Sequence, residues 1–447
     1  MSAPQNRHFR SVPVEDGMDP SVVEIAQSSI TTGIPIPSLR ANFAWTFAGN
    51  VFYASCQWGV LSVLAKLGSP SIVGQFTLGL AVSAPVFMFT NLQLRAIQAS
   101  DVSADLRFAD YFTLRSLATL LGMAAIIALL PFEGVSSGVK GVVILVSVSK
   151  CIECMSDVTA GLLQREEKLK RVAISLMIRG AGSVLLFFLT FAGFHDLALS
   201  VASMCGVWLC VFLFFDLSNV RVLIGRHESL FRFRRNDLWQ LTTLGLPLGW
   251  ITTLTSLNAN IPRYFLTRDL GLGEQGIYSS LAYLVIAVGL IISALSQSVT
   301  TRLARLFADG NLKEFVRLLT RLSMLGLVIP AIGIPSALLV GKPLLTLLYR
   351  REYADHVDLL LLFMGTAGFN AIGSFLFCGM NAARRYSILV PVYFASAFIG
   401  VAVSAILIPR CGLMGAGIGM LLSAAATAVG GFKALHITLK ERALTPA

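Results

Sequence analysis

The sequence predicts an all-α polytopic membrane protein of about twelve transmembrane helices. Three observations carry that prediction. Of 447 residues, 55% are hydrophobic and 13% are charged, where an ordinary soluble domain carries roughly 25% charged residues. The mean hydropathy is +0.75. The apolar residues fall in successive blocks, each long enough to cross a hydrocarbon core about 30 Å thick.

Residues 1–37 are polar and punctuated by Pro4, Pro13, Pro20, Pro35 and Pro37, with no apolar run before Leu39. They read as a disordered cytoplasmic tail without a signal peptide, with a short amphipathic piece at 22–25. The expected spans are 38–65, 71–95, 110–132, 138–163, 171–194, 197–220, 240–262, 276–303, 314–340, 357–381, 386–409 and 413–439. Pro85, Pro330 and Pro391 fall inside spans; membrane helices tolerate such kinks because neighbours re-satisfy the freed carbonyls.

Orientation follows from lysine and arginine. QREEKLKR at 164–171, RHESLFRFRRND at 226–237 and RLARLFADGNLKEFVR at 302–317 share one side with the N-terminus. Summed over the loops, about 25 basic residues fall on that side and about 8 on the other, which makes it the cytoplasmic side. The net charge of +11 is therefore mainly a topology signal. Dispersed among loops, it does not form the basic patch of a nucleic-acid binder.

The halves repeat. LGSPSIVGQF at 67–76 closes the first hairpin, and LGLGEQGIY at 270–278 does the same in the second half. Upstream, AGNVFYASCQWG at 48–59 lies opposite LGWITTLTSLNA at 248–259. With an even number of helices per half, the halves share one orientation and are related by an axis along the membrane normal. The expected organisation is a tail at 1–37, a six-helix bundle at 38–220, a basic linker at 221–239, a second bundle at 240–439 and a cytoplasmic tail at 440–447. A central cavity is expected between the two pseudo-twofold-related six-helix bundles.

This layout, with the loop LG-(x)n-G-(F/Y) after the first helix of each half, resembles the polysaccharide transporter branch of the multidrug/oligosaccharidyl-lipid/polysaccharide (MOP) exporter superfamily. These are the Wzx-type oligosaccharide flippases, and the resemblance covers about Ser38 to Leu439. It implies a V-shaped, alternating-access bundle in the bacterial inner membrane; the lysine and arginine bias puts both termini on the cytoplasmic side. The implied substrate is an undecaprenyl-pyrophosphate-linked oligosaccharide, an exopolysaccharide or O-antigen repeat unit. A polysaccharide polymerase and other biosynthetic membrane proteins are partners the resemblance allows.

The segment VSVSKCIECMSDVTAG, from Val146, sets Cys-x-x-Cys in the fourth span. A thiolate zinc site needs four ligands as a rule, and no second pair at matching spacing occurs. Cys151 and Cys154 read as packing residues, and the sequence calls for no metal or other cofactor. The charges there are more informative. Ser147, Lys150, Glu153, Asp157, Gly161 and Gln164 fall on one helical face about 100° wide. A charge near the bilayer centre costs at least about 2.5–3.5 kcal/mol, so these must look into protein or water. Lys150 and Glu153 can pair at i, i+3; Arg179 in the fifth span is the expected partner of Asp157. Two readings stay open: an ion-pair lock between helices, or a cluster that couples transport to protons or cations.

The first helix of each half carries a polar stripe: Asn42, Thr46, Asn50, Tyr53 and Gln57 in one, Thr253, Ser256, Asn260 and Arg263 in the other. Amides and hydroxyls suit hydrogen bonding to sugars, and the forked guanidinium of Arg263 suits a phosphate. The alternative is polar glue between helices, worth about 0.6 kcal/mol per bond on average. Gln297 and Asn370 are further cavity candidates. For a pyrophosphate at the inner face the candidates are Arg40 and Arg95; such residues also serve topology and headgroup binding.

No G-x-x-x-x-G-K-[ST] loop occurs, so ATP hydrolysis by this chain is not expected. Within transporters the alternative is a cation-coupled multidrug exporter of the same superfamily. Those resemble this chain in helix count but often carry an acidic residue and a proline in the first helix, which here has neither. The alternative from another class is a membrane-embedded glycan polymerase or ligase. The longest outer segment, KPLLTLLYRREYADHVD at 342–358, is short for such an enzyme, so a non-enzymatic chain is expected.

Overall fold

The computed structural model describes residues 39–101, 106–133, 136–225, 227–383 and 385–444. The expected tail at 1–37 lies outside them, as do the side chains of Arg40 and Gln297. The described residues form twelve long helices. In the first half these are α1 (Leu39–Leu67), α2 (Pro70–Asn91), α3 (Phe108–Leu129), α4 (Ser137–Arg165), α5 (Leu169–Phe194) and α6 (Leu197–Ile224). The second half holds α7 (Arg235–Asp269), α8 (Leu272–Ala308), α9 (Leu312–Leu348), α10 (Val357–Ala382), α11 (Val390–Cys411) and α12 (Leu413–Leu444).

Nine of these helices are long and apolar enough to cross a membrane on composition alone. The other three are α1, α4 and α7, the same helices that carry the polar stripes and the charged face. Their lower hydropathy is the cost of lining an interior, and it is bearable because the polar face looks away from lipid.

Local sequence explains several boundaries. Ser69 caps α2 by accepting from the Ile72 amide, with Pro70 in the first turn. Asp196 caps α6 through the Leu199 amide at 3.1 Å, and Asn311 caps α9 through the Glu314 amide at 3.2 Å. Each supplies an acceptor to an amide that the helix leaves unpaired. Helix α2 stops where Leu92 and Gln93 both take φ of 51°, after which a short helix, Leu94–Ser100, continues in a new direction. Several helices run past the expected spans, among them α8 to Ala308 and α9 to Leu348. The linker is shorter than 221–239, because α6 runs to Ile224 and α7 starts at Arg235. Helix α12 also continues to Leu444 where a tail was expected at 440. The α12 extension, KERAL, is made of good helix formers that carry the helix past the apolar block.

The buried core is arranged asymmetrically along the membrane normal. At the end holding the α1–α2 and α7–α8 turns, one continuous cluster joins both halves. It includes Leu61, Leu64 and Phe76 from the first half, and Tyr278, Leu281, Tyr349 and Phe363 from the second. At the opposite end the core is divided. One cluster gathers Phe108, Tyr111, Phe112 and Leu162 of the first half with Leu241 of α7. A separate one gathers Leu303, Phe315, Leu319 and Phe375 of the second half. The bundle is thus sealed at one end and split at the other.

The seal has polar and close-packed parts. Trp58 Nε1 donates to the Tyr349 hydroxyl at 3.0 Å, and that hydroxyl donates to the Ser280 carbonyl at 3.0 Å. Arg350 Nε donates to the Lys66 carbonyl at 3.0 Å, and Thr77 donates to Gln275 Oε1 at 3.2 Å. At the split end the two halves remain tied through α2 and α7. A methyl group at Gly245 would lie 2.6 Å from the Leu92 carbonyl oxygen, so only glycine allows α7 to reach the break in α2. The residues before α7 are fastened to the first half as well: Arg232 pairs with the fully buried Asp110 at 2.9 Å, and Phe231 packs edge-on against Phe112.

Candidate functional site

The split between the halves is where polar side chains of the membrane interior come into the open. On α4, Lys150, Glu153 and Asp157 have side chains 27%, 32% and 24% exposed, and Gln164 is exposed at the end of the helix. Charges at this depth cannot face hydrocarbon without a large cost. Their exposed parts therefore face away from lipid, along the side of α4 that leads to the split end.

Lys150 Nζ donates to Glu153 Oε2 at 2.6 Å, and Tyr53 of α1 donates its hydroxyl to Glu153 Oε1 at 3.3 Å. Arg179 of α5 lies behind this pair, 5% exposed, with its guanidinium 6.0 Å from the ring centres of both Tyr53 and Trp208. It interacts electrostatically with Glu153 and with Asp216 of α6. Asp216 is buried and accepts from the Ser175 hydroxyl at 2.6 Å. It closes a π-helical turn, Val211–Asp216, a distortion often found at functional positions.

The expected pairing of Asp157 with Arg179 is not what the structure shows. Asp157 bonds instead to Arg95 Nη1 through one oxygen and to Arg115 Nη2 through the other, each at 3.3 Å. The reason is helical phase: Asp157 sits one turn beyond Glu153, on the side of α4 that meets α2 and α3, whereas Arg179 faces α1 and α6. Arg95 also donates from Nε to Gln164 Oε1 at 3.1 Å.

The α1 stripe is divided by depth. Asn42 is buried, Thr46 and Gln57 are half-buried, and Asn50 is exposed. Thr46 donates to the Asn42 carbonyl and Asn50 to the Thr46 carbonyl. The opposite edge of α1 is packed closely on α5, where Gly49 meets Ala173 and Gly180 meets Cys56. On α7, Thr253 and Asn260 are buried and Ser256 is half-buried. Asn260 Oδ1 accepts from Arg263 Nη1 at 2.8 Å, and Arg263 Nε is buried without a partner. Asn370 is exposed on α10. The structure therefore brings Tyr53, Lys150, Glu153 and Arg179 together in one group and Arg95 with Asp157 in a second. It leaves Arg263 apart on α7.

Three functional candidates were not foreseen: Arg115, Asp216 and Asp110. Arg115 is completely buried in α3. The signal for it and for Asp216 was present, since each is a lone charge in an apolar run (YFTLRSLATLL and VFLFFDLSN). A charge in such a run requires a partner by default. A second unforeseen feature is a neutral network in the other half. Ser396 accepts from Asn258 at 3.0 Å and from Thr427 at 2.8 Å, and lies 2.8 Å from Ser423 Oγ. The cysteines Cys151 and Cys154 are free, and among the described residues no group of three or more His, Cys, Asp or Glu side chains is placed to hold a metal ion.

No protein-family model matches the chain. In sequence it is 27% identical over 386 residues to the capsular polysaccharide biosynthesis protein CapF of Staphylococcus aureus, a match spanning 86% of this chain and 95% of that one. In structure it is similar to an inward-facing multidrug-resistance MATE-family transporter of the MOP superfamily. The TM-score is 0.61 at 15% identity, covering 95% of this chain and 99% of that one. An outward-facing transporter of that family matches at a TM-score of 0.63 and 15% identity, over 93% and 99%. A MOP-superfamily transporter from Pyrococcus furiosus, described as having reversed polarity of its binding pocket, matches at 0.62 and 16%, over 90% and 96%.

The chain is a multi-pass membrane protein with the two-lobed fold of the MOP-superfamily transporters. The resemblance to that superfamily, expected from the layout, is matched by the fold, and the likeness to a capsular polysaccharide biosynthesis protein extends along nearly the whole length of both chains.

Proposed function

We propose that the chain is a flippase that carries a polyprenyl-pyrophosphate-linked oligosaccharide across the bacterial inner membrane by alternating access. The observation that carries this reading is the likeness to a capsular polysaccharide biosynthesis protein over 95% of that protein, on a fold whose two halves enclose a cleft. The positive-inside rule places both termini in the cytoplasm. The sealed end is then extracytoplasmic, the split end is cytoplasmic, and the state described is inward-facing.

In this state a lipid-linked sugar enters from the cytoplasmic leaflet. Its polar portion occupies the cleft between the α4 column and the second half, while the polyprenyl chain stays in lipid. Asn50, Tyr53, Arg263 and Asn370 are suited to hydrogen bonding within the cleft, with Asn42, Thr46, Gln57, Thr253, Ser256 and Asn260 on the α1 and α7 stripes and Gln297 as a further candidate on α8. Arg40 and Arg95, near the cytoplasmic mouth, suit capture of the pyrophosphate. Closure at the mouth and parting of the α2–α8 contact then expose the sugar to the other side. The group Lys150, Glu153, Arg179 and Asp216 balances two positive against two negative charges. It is the place where an ion gradient could bias the cycle; removal of the product by a polymerase is the other source of direction.

The test is ligand discrimination by the full chain in nanodiscs. A polyprenyl-pyrophosphate oligosaccharide should raise the melting temperature by several degrees through linkage, and cationic dyes should not. The reverse pattern would assign the chain to drug export.

A further inference from the structure

The pairing of Asp157 with two arginines has a feature that an ordinary ion pair does not need. One carboxylate faces two guanidiniums from separate elements: Arg95, on the short helix after the break in α2, and Arg115, on α3. Both contacts are 3.3 Å, whereas well-formed bonds between a cation and a carboxylate are about 2.7–2.9 Å. The carboxylate spans the gap between the two forks without closing on either.

Two positive charges against one leave a net positive charge in the group. Arg115 is completely buried. Its Nη1 donates to the Asn91 carbonyl at 2.9 Å, and its Nε has no acceptor. Gln98, three residues after Arg95 on the short helix, is 1% exposed with neither amide atom partnered. Its amide packs over Gly161, one turn from Asp157, next to the Arg95 backbone. Buried donors without acceptors are costly, and here both belong to elements packed around the stretch of α4 from Asp157 to Gly161. Asp157 is itself 24% exposed. The carboxylate therefore stands between the cleft water and a sealed guanidinium.

We propose that this is an anion site for a diphosphate, occupied in the inward-facing state by the chain's own Asp157 carboxylate. A diphosphate carries more charge and more acceptor oxygens than a carboxylate, and its length suits two forks that one carboxylate only half reaches. When the ligand enters, Asp157 swings into the cleft, Arg95 and Arg115 grip the two phosphoryl groups, and the Gln98 amide supplies a further donor. Asp157 thereby sets the affinity: the site binds a dianion and rejects weaker anions that cannot displace the resident carboxylate. Arg115 also holds the Asn91 carbonyl at the end of α2, so occupation is felt at the break where α2 meets α7.

The proposal deepens the flippase reading and rests on it for the identity of the lipid that carries the diphosphate. The direct test is titration of the full chain in nanodiscs with inorganic pyrophosphate, and in parallel with a short polyprenyl pyrophosphate. Asp157→Asn removes the competitor and should tighten both by about tenfold, the weight of one charge-assisted bond. Arg95→Gln should weaken both by a similar factor. Arg95 is partly exposed, so this variant leaves no sealed charge unpaired and decides the matter even if Asp157→Asn is poorly folded. Unchanged or weaker binding in folded Asp157→Asn, or unchanged binding in Arg95→Gln, overturns the site. Pyrophosphate binding that follows both variants, in a protein that flips no lipid-linked sugar, upholds the site and removes the flippase reading. Flipping that persists while pyrophosphate binding ignores both variants does the opposite.

Discussion

Gly74 and Gly276 meet across the pseudo-twofold axis in matching ways. A methyl group at Gly74 would lie 1.9 Å from the Leu272 carbonyl oxygen, and one at Gly276 would lie 1.9 Å from the Pro70 carbonyl oxygen. Each glycine is four residues after the residue its counterpart touches. These are the glycines of the two repeated loops, so the internal repeat of the sequence marks the contact that seals one end of the bundle. An alanine at either position cannot be accommodated without parting α2 from α8. Gly276→Ala should therefore open the sealed end. In a background lacking the exposed Cys210 and Cys411, a cysteine at Tyr278 should gain at least about tenfold in reactivity toward a membrane-impermeant thiol reagent, because it leaves a core from which water is excluded. Unaltered protection would mean that the seal does not depend on this contact.

The segment before α7 is held by a second buried contact. Asp110 is fully buried and relies on Arg232 for its charge partner. Arg232→Ala should cost up to about 3 kcal/mol, since removing one member of such a pair leaves an uncompensated charge. The melting temperature should fall and proteolysis near 227–234 should quicken. The double replacement Asp110→Asn with Arg232→Ala should recover part of the loss, and no recovery would argue against the pairing.

Ser396 joins α7, α11 and α12 through its hydroxyl. Replacing it by alanine takes the acceptor from the Asn258 NH2 group, while the Thr427 hydroxyl keeps its bond to the Ser423 carbonyl at 3.1 Å, at an expected cost of about 1–2 kcal/mol. The change should appear as lower thermal stability with the cleft residues and their ligand affinity unaffected. A selective loss of substrate binding would show that this network belongs to the site.

Cys151 and Cys154 are expected to be dispensable. Replacing both by alanine removes two small apolar side chains from α4 without touching its charges. Transport should persist, and added zinc chelator should change nothing. Loss of transport on chelation would restore the metal reading of this motif.

The helix layout was legible because bilayer thickness imposes a length on every apolar block, and lysine and arginine mark its ends. The repeat was legible because Gly74 and Gly276 are each followed, two residues on, by an aromatic ring, Phe76 and Tyr278. The partner of Asp157 was not. Helical periodicity put Lys150, Glu153 and Asp157 on one face, yet within that face Glu153 turns toward α1 and Asp157 toward α2 and α3. That division depends on which helices pack beside α4, information that no local pattern carries. Arg115 shows the same limit from the other side: its apolar run announced a buried charge, but its partner lies 42 residues away on α4.

Flipping itself is the most direct measurement of the central claim. A fluorescent polyprenyl-pyrophosphate oligosaccharide would be placed in both leaflets of proteoliposomes, with an impermeant quencher added outside, with and without an imposed pH gradient. The account predicts that quenching proceeds past half of the label only when the protein is present, and slows in Arg95→Gln. Quenching that stops at half with active, folded protein would contradict it.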